Sequence, residues 1–195
     1  CGGNLTQTAQ GFHPRKQQRL LTALNNSPMG YALAGSIGAS LALNRKEIIC
    51  LIGDQGLLMN IHDLATVKRE DLPIKIFIFN NEGHGIVRQT QSDWLESRWE
   101  STSWDGGLPD VDFVRVGESF GIPSVTIQNH LQLNANLSGY LERKGPLLID
   151  LRLGVDQKTV PMLKAGRPIE DSSPLLDRKV FRKAMLIEPL PVSDS

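Results

Sequence analysis

Four short apolar runs punctuate the chain. They are Ile48-Ile49-Cys50-Leu51-Ile52, Ile74-Lys75-Ile76-Phe77-Ile78-Phe79, Val125-Thr126-Ile127 and Leu147-Leu148-Ile149-Asp150-Leu151. Each is β-branched or aromatic in character and bounded by turn residues, and each is too short for a helix, so each predicts a buried parallel strand. Between them the period changes. Met29 to Leu43, rich in Ala, Gly and Leu, predicts a closely packed helix ending near Asn44, in which Gly35 and Gly38 are tolerable if another backbone comes close. Asn60 to Glu70 predicts an amphipathic helix with Ile61, Leu64, Ala65 and Val67 on or near one face. Residues 83–99 predict a glycine-containing loop turning helical, with Trp94, Leu95 and Trp99 as apolar contacts. Asp112 is placed to cap a helix carrying Phe113, Val114, Val116 and Phe120, and another helix covers about 130–143. Strands alternating with helices define an α/β chain, an open doubly wound, mostly parallel sheet with helices on both faces.

Residues 1–24 are polar and basic, with Gly2-Gly3 and Pro14, and predict a lead-in segment with little core of its own. Residues 25–165 hold the patterned part, and 166–195 form a C-terminal tail. Beyond Val160 the composition shifts toward Pro, Asp and Ser, so Pro189 to Ser195 is expected to order only by docking. The chain does not open on Met and is read as a fragment or processed part of something longer.

The 195 residues suffice for one sizeable domain. Twenty-one basic and 21 acidic residues cancel, which removes the electrostatic case for nucleic acid or an anionic membrane. The uncharged stretch Asn25 to Asn44 is interrupted by polar residues and has too short an apolar part to span a bilayer. Two cysteines make no disulfide framework; Cys50 reads as a small buried hydrophobe and Cys1 as a free terminal thiol, both suited to a cytoplasmic protein.

Chemistry concentrates where the first two strands end. Gly53-Asp54-Gln55-Gly56 closes one run and Asn80-Asn81 closes the next. In an open α/β sheet, ligands bind at that carboxyl edge. Asp54 and Asn81 offer hard oxygens that suit Mg²⁺, and the turn after the first strand can present N–H groups to phosphate. Taken alone, Asp54 could equally be a helix cap; the pairing with Asn81 favours a metal–diphosphate site. His84 faces either substrate or solvent, whereas His13, His62 and His130 lack metal-ligand spacing. Asn25-Asn26 follows no predicted strand and reads as a turn or cap. No GxxxxGK[ST] is present, and Gly30, Gly35 and Gly38 make no dinucleotide fingerprint.

The spacing from Gly53-Asp54 to Asn80-Asn81 resembles the GDG-x(25–30)-NN motif of thiamine-diphosphate-dependent enzymes. Flanking segments extend the likeness over roughly residues 20–165 toward the acetolactate synthase large (catalytic) subunit: Pro28-Met29-Gly30-Tyr31-Ala32-Leu33, Leu58 to Thr66, Gly85-Ile86-Val87-Arg88-Gln89-Thr90-Gln91, and Gly145-Pro146-Leu147. The chain is similar to the C-terminal, diphosphate-binding domain of that family. The resemblance implies thiamine diphosphate held through Mg²⁺ by the side chains of Asp54 and Asn81 and the carbonyl of Gly83. It implies cofactor contacts from Ser27, Met29, Gly53, Asp54, Gln55, Gly56, Leu57, Asn81, Gly83, Gly85 and Ile86. Met29 would wedge the bent cofactor, the Ser27 carbonyl would receive its aminopyrimidine N–H, and His84 and Thr90 would face the substrate.

Two departures qualify the likeness. Gln55 stands where the motif has a third glycine, which questions the local backbone and the tightness of diphosphate binding; Gly56 could restore flexibility. Thr90 stands where biosynthetic acetolactate synthases commonly carry tryptophan, which opens the choice of acceptor. The implied activity is decarboxylation of a 2-keto acid such as pyruvate, followed by carboligation. Simple 2-keto-acid decarboxylation and a non-catalytic cofactor-binding or regulatory subunit are the alternatives. The activating glutamate would come from the pyrimidine-binding domain of a partner subunit or longer chain in a homo-oligomer, with FAD belonging only to a parent protein. This chain alone is expected to be inactive.

Overall fold

All four apolar runs enter one parallel sheet. A computed structural model describes residues 2–23 and 26–194, so Cys1 and Asn25, one half of the second asparagine pair, lie outside the described residues. Helix α1 (Gly2–Gly11) comes first, then α2 (Tyr31–Ala42) and β1 (Ile48–Gly53). Helices α3 (Asp54–Met59) and α4 (Asp63–Arg69) lead to β2 (Ile74–Asn80). After α5 (Gly85–Trp94) and α6 (Phe113–Ser119) comes β3 (Ser124–Ile127); α7 (His130–Glu142) then leads to β4 (Leu147–Arg152). Helix α8 (Arg178–Ala184) and a 3₁₀ turn at Pro191–Asp194 follow.

Spatial order is β1-β2-β4-β3, every pair parallel. The step from β3 back to β4 reverses the direction of winding. A right-handed crossover running backwards must lay its helix on the opposite face. Accordingly Leu133, Leu137, Tyr140 and Leu141 of α7 pack with Phe77, Ile127, Leu147, Ile149 and Leu151. The other face carries the larger core, where Leu33, Leu64, Val67 and Phe113 from α2, α4 and α6 meet Cys50, Ile52, Ile76, Ile78 and Leu148. Helices on both faces bear out the doubly wound reading. Burial pushes the Cys50 thiol up to about 11, which leaves it an inert hydrophobe.

Several local expectations need correcting. The helix expected over 60–70 is the shorter α4, starting at Asp63, and an unexpected helix, α3, precedes it, following β1 with no intervening loop and ending at the break at Asn60. Ala65 points outward. Neither Gly35 nor Gly38 has another backbone against it. Trp94, Leu95 and Trp99 are not apolar contacts; Trp94 is 59% exposed, and Trp99 donates its indole N–H to Ser92 Oγ at 2.9 Å. The lead-in segment carries a helix, α1, that lies against α5 and β1. Asp112 caps α6 as expected, accepting from Arg115 N.

The last residues are held by polar contacts to other residues of the tail. Asp171, nearly inaccessible, accepts from Arg178 Nη1 and Nη2 and from Arg167. Arg178 also donates to Ser193 O, and Glu170 Oε1 accepts from Leu190 N and Ser193 Oγ. The Arg178 guanidinium, aided by Arg167, holds Asp171 below the usual carboxylate range. A lowered folded value stabilises above the unfolded value and is lost on acidification through the folded one, so these contacts weaken only in acid.

Candidate functional site

Register brings the two strand ends together. Gly53 pairs with Phe79, and Asn80 pairs with Arg152, so Asp54 and Asn81 leave adjacent strands at one edge. A cleft of about 740 Å³, counting its open mouth, lies there. Gly53, Asp54, Gln55 and Gly56 line it from the β1 side, and Asn81, Gly83, His84, Gly85 and Ile86 from the β2 side.

Asp54 is the first residue of α3, where a carboxylate complements the helix dipole. Gly53, not Asp54, occupies the capping position. Asp54 is 2% exposed; its Oδ1 accepts from Gln55 N at 2.7 Å and its Oδ2 from Gly83 N at 2.8 Å. Burial pushes the carboxyl up to about 6, against the pull of those backbone N–H groups and of Arg88. The anion is thus held out of water without a full counter-charge.

The turn after β2 is strained where the one after β1 is not. Glu82 has φ 60° and Gly83 φ 151°, both in the left-handed half of the map. A Cβ on Gly83 would sit 2.2 Å from Thr102 O. Asn80 Oδ1 accepts from Glu82 N at 3.2 Å, and His84 N donates to Thr102 O at 3.1 Å. Arg88, buried, donates to Asn81 O at 3.0 Å and to Val155 O. Burial lowers the His84 imidazole below its usual value, which favours its neutral form.

Gln55 raises no backbone difficulty. It is not among the residues with positive φ, and helical geometry accepts any L residue there. Gly56 is therefore not needed for flexibility; its bare Cα instead lets α3 approach Ile52 and the Gly30 backbone. Met29 lines the cleft at 39% exposure, which is not how a core methionine sits. Leu57 turns away and is wholly buried in the larger core. Ser27, at φ 40°, lies in the turn before α2 and is not among the lining residues. Thr90 does not line the cleft; its hydroxyl donates to Ile86 O one turn back at 3.1 Å. His13, His62 and His130 are exposed.

Other lining residues escaped the sequence reading. Gly3 and Gln7 come from α1, which has few apolar residues to announce it, and Leu153, Gln157 and Thr159 come from the segment after β4. Gln89 pins that segment: its Nε2 donates to Thr159 O at 3.1 Å, and its Oε1 accepts from Thr159 N at 2.8 Å.

Residues 2–151 match the family described as thiamine pyrophosphate enzyme, C-terminal TPP binding domain. The acetolactate synthase isozyme 1 large subunit of Escherichia coli (strain K12) is 32% identical over 82% of this chain and 28% of its own length. The acetolactate synthase large subunit of Cyanidium caldarium is 34% identical over 82% of this chain and 27% of its own. Among solved structures, the thiamine diphosphate-dependent 4-hydroxybenzoylformate decarboxylase of Rhodococcus jostii RHA1 superposes with a TM-score of 0.59 at 25% identity, covering 67% of this chain and 24% of that one. The chain belongs to the thiamine pyrophosphate enzymes and corresponds to their C-terminal cofactor-binding domain. It spans about a quarter of the length of the relatives it matches.

The residues present fit a cation-anchored diphosphate. Among the described residues no three His, Cys, Asp or Glu side chains converge as a metal cluster. A cation here would rely on one buried carboxylate, Asp54, with the neutral oxygens of Asn81 and Gly83, a set suited to Mg²⁺. Asp54, raised by burial, is the group that gains most from such a charge. Among the described residues no helix is long and apolar enough to cross a membrane.

Proposed function

We propose that this chain is the diphosphate-binding domain of a 2-keto-acid-decarboxylating carboligase similar to acetolactate synthase. The observation that carries the reading is the convergence of Asp54, Asn81 and Gly83 on one cleft in a chain of this family. Asp54, Asn81 and the Gly83 carbonyl would hold Mg²⁺, and Mg²⁺ the diphosphate. Thiamine diphosphate, when bound, supplies the electron sink for decarboxylation. Met29 at the cleft rim would support the ring system, and neutral His84 would face the 2-keto acid. The activating glutamate would come from a pyrimidine-binding domain in a partner subunit or elsewhere in a longer polypeptide, within a homo-oligomeric cytoplasmic assembly; any FAD would bind there too. Thr90 would influence acceptor choice only by repacking α5.

The test uses the full-length protein with pyruvate, thiamine diphosphate and Mg²⁺. Acetolactate is the expected product. Acetaldehyde instead would favour simple decarboxylation, the activity named for the Rhodococcus protein. Magnesium-dependent cofactor binding without turnover would point to a regulatory subunit. Absence of such binding would overturn the reading.

A further inference from the structure

Asp150 is a buried carboxylate that the proposed chemistry does not use. It lies in β4 opposite Ile78, on the face of the larger core, and is 1% exposed. Its Oδ1 accepts from Asn80 Nδ2 at 2.9 Å. Its Oδ2 has no hydrogen bond of good geometry but lies 3.1 Å from Arg152 Nε. Arg152 reaches on toward Glu82, with Nη1 3.8 Å from Oε1. The ring of contacts then closes, because Asn80 Oδ1 accepts from Glu82 N.

This arrangement has only one sense. An ionised carboxylate accepts and cannot donate, so it takes the N–H side of the Asn80 amide. The amide oxygen is thereby turned to the Glu82 N–H. Without that fixed acceptor, an asparagine amide could present either end. Burial raises the Asp150 carboxyl, while the Asn80 amide and the Arg152 guanidinium draw it back. The next residue, Gly83, gives its N–H to Asp54. A chain of contacts thus runs from Asp150 through Asn80 and Glu82 to the carbonyl expected to meet the cation.

We propose that Asp150 is a positioning residue for the Asn81–Gly83 turn: it sets the orientation of the Asn80 amide, and the amide holds Glu82 in its left-handed conformation. The link to cation affinity rests on the reading of the cleft as a Mg²⁺–diphosphate site; the link to the turn itself does not. Contacts of this outer kind typically change metal affinity by roughly 10–100-fold when removed.

The test compares wild type, Asp150→Asn and the swap Asn80→Asp/Asp150→Asn in the full-length protein. In the single variant one amide faces another, and no orientation satisfies Asn80, Arg152 and Glu82 together. In the swap the new carboxylate at position 80 accepts from the new amide at 150 and from Glu82 N, and the amide oxygen at 150 accepts from Arg152. Two readouts are taken: hydrogen exchange of the peptide spanning 79–84 without cofactor, and the Mg²⁺ concentration for half-saturation with thiamine diphosphate present. Asp150→Asn should speed exchange in this peptide and weaken Mg²⁺ by about 10-fold or more. The swap should bring both back close to wild type. Wild-type exchange in Asp150→Asn, or a swap no better than the single variant, overturns the proposal. If the single variant does not fold, the swap decides: slow exchange supports the proposal, and fast exchange or failure to fold overturns it. If wild type shows no Mg²⁺-dependent cofactor binding, the functional reading fails, and the exchange arm still judges the role of Asp150.

Discussion

The two strand ends that form the cleft are built differently. After β1 the chain passes straight into α3, with no residue in the left-handed region and Asp54 as its first helical residue. After β2 it makes a turn through Glu82 and Gly83, both at positive φ, held by Asn80, Asp54, Thr102 and Arg88. One end is set by its own helix. The other is a strained segment fixed by residues far along the chain. Strain of this kind persists only where the surroundings over-determine it, so the β2 end should be the more sensitive to remote substitution, and the β1 end chiefly to loss of its own carboxylate.

The largest expected effect tests the carboxylate of the β1 end. Asp54→Ala in the full-length protein should weaken Mg²⁺-dependent thiamine diphosphate binding by roughly 100-fold or more, beyond the usual outer-shell effect. Titration calorimetry with and without Mg²⁺ measures it; metal-dependent affinity unchanged in a folded variant would end the assignment of Asp54 as a ligand.

Backbone strain separates the two ends next. Gly83→Ala places a methyl 2.2 Å from the Thr102 carbonyl at φ 151° and should cost about 2–3 kcal/mol in denaturant unfolding. At Gly56 the nearest atom would be the Ile52 side chain at 3.3 Å, and α3 is helical, so Gly56→Ala should cost less. Equal losses would remove the contrast.

Remote support should matter only at the β2 end. Arg88→Met strands the Asn81 and Val155 carbonyls and should destabilise by roughly 1–3 kcal/mol, with weaker cofactor binding besides. Stability loss with cofactor affinity intact would mean that Arg88 supports the fold and not the turn.

The smallest effect concerns the departure at Gln55. Gln55→Gly restores the usual motif but puts glycine into α3, so it should lower stability by about 0.5–1 kcal/mol. Cofactor affinity should not tighten through backbone relief. A clear gain in affinity would show that the glutamine side chain obstructs the cleft.

Sequence by itself determined the sheet and its edge. Ile48–Ile52 and Ile74–Phe79 are apolar runs ended by Gly53-Asp54 and Asn80-Asn81, and short-range patterning plus the rule for open α/β sheets places those ends at a ligand edge. Asp112 was legible as a cap for the same reason: the interaction is complete within three residues. What only the tertiary structure decided depends on partners distant in sequence. The polar helix α1 holds too few apolar residues to stand out in the sequence, yet it delivers Gly3 and Gln7 to the cleft because α5 and β1 lie against it. Trp94 and Leu95 look like core and are exposed, because nothing within the described residues covers that end of α5. The bond from Asn80 to Asp150 spans 70 residues, as do those from Gln89 to Thr159. A side chain's type fixes what it can donate or accept, but strand order decides which partner stands opposite, and the insertion of β4 beside β2 is what turns Asp150 from a polar interruption in an apolar run into a support for the turn.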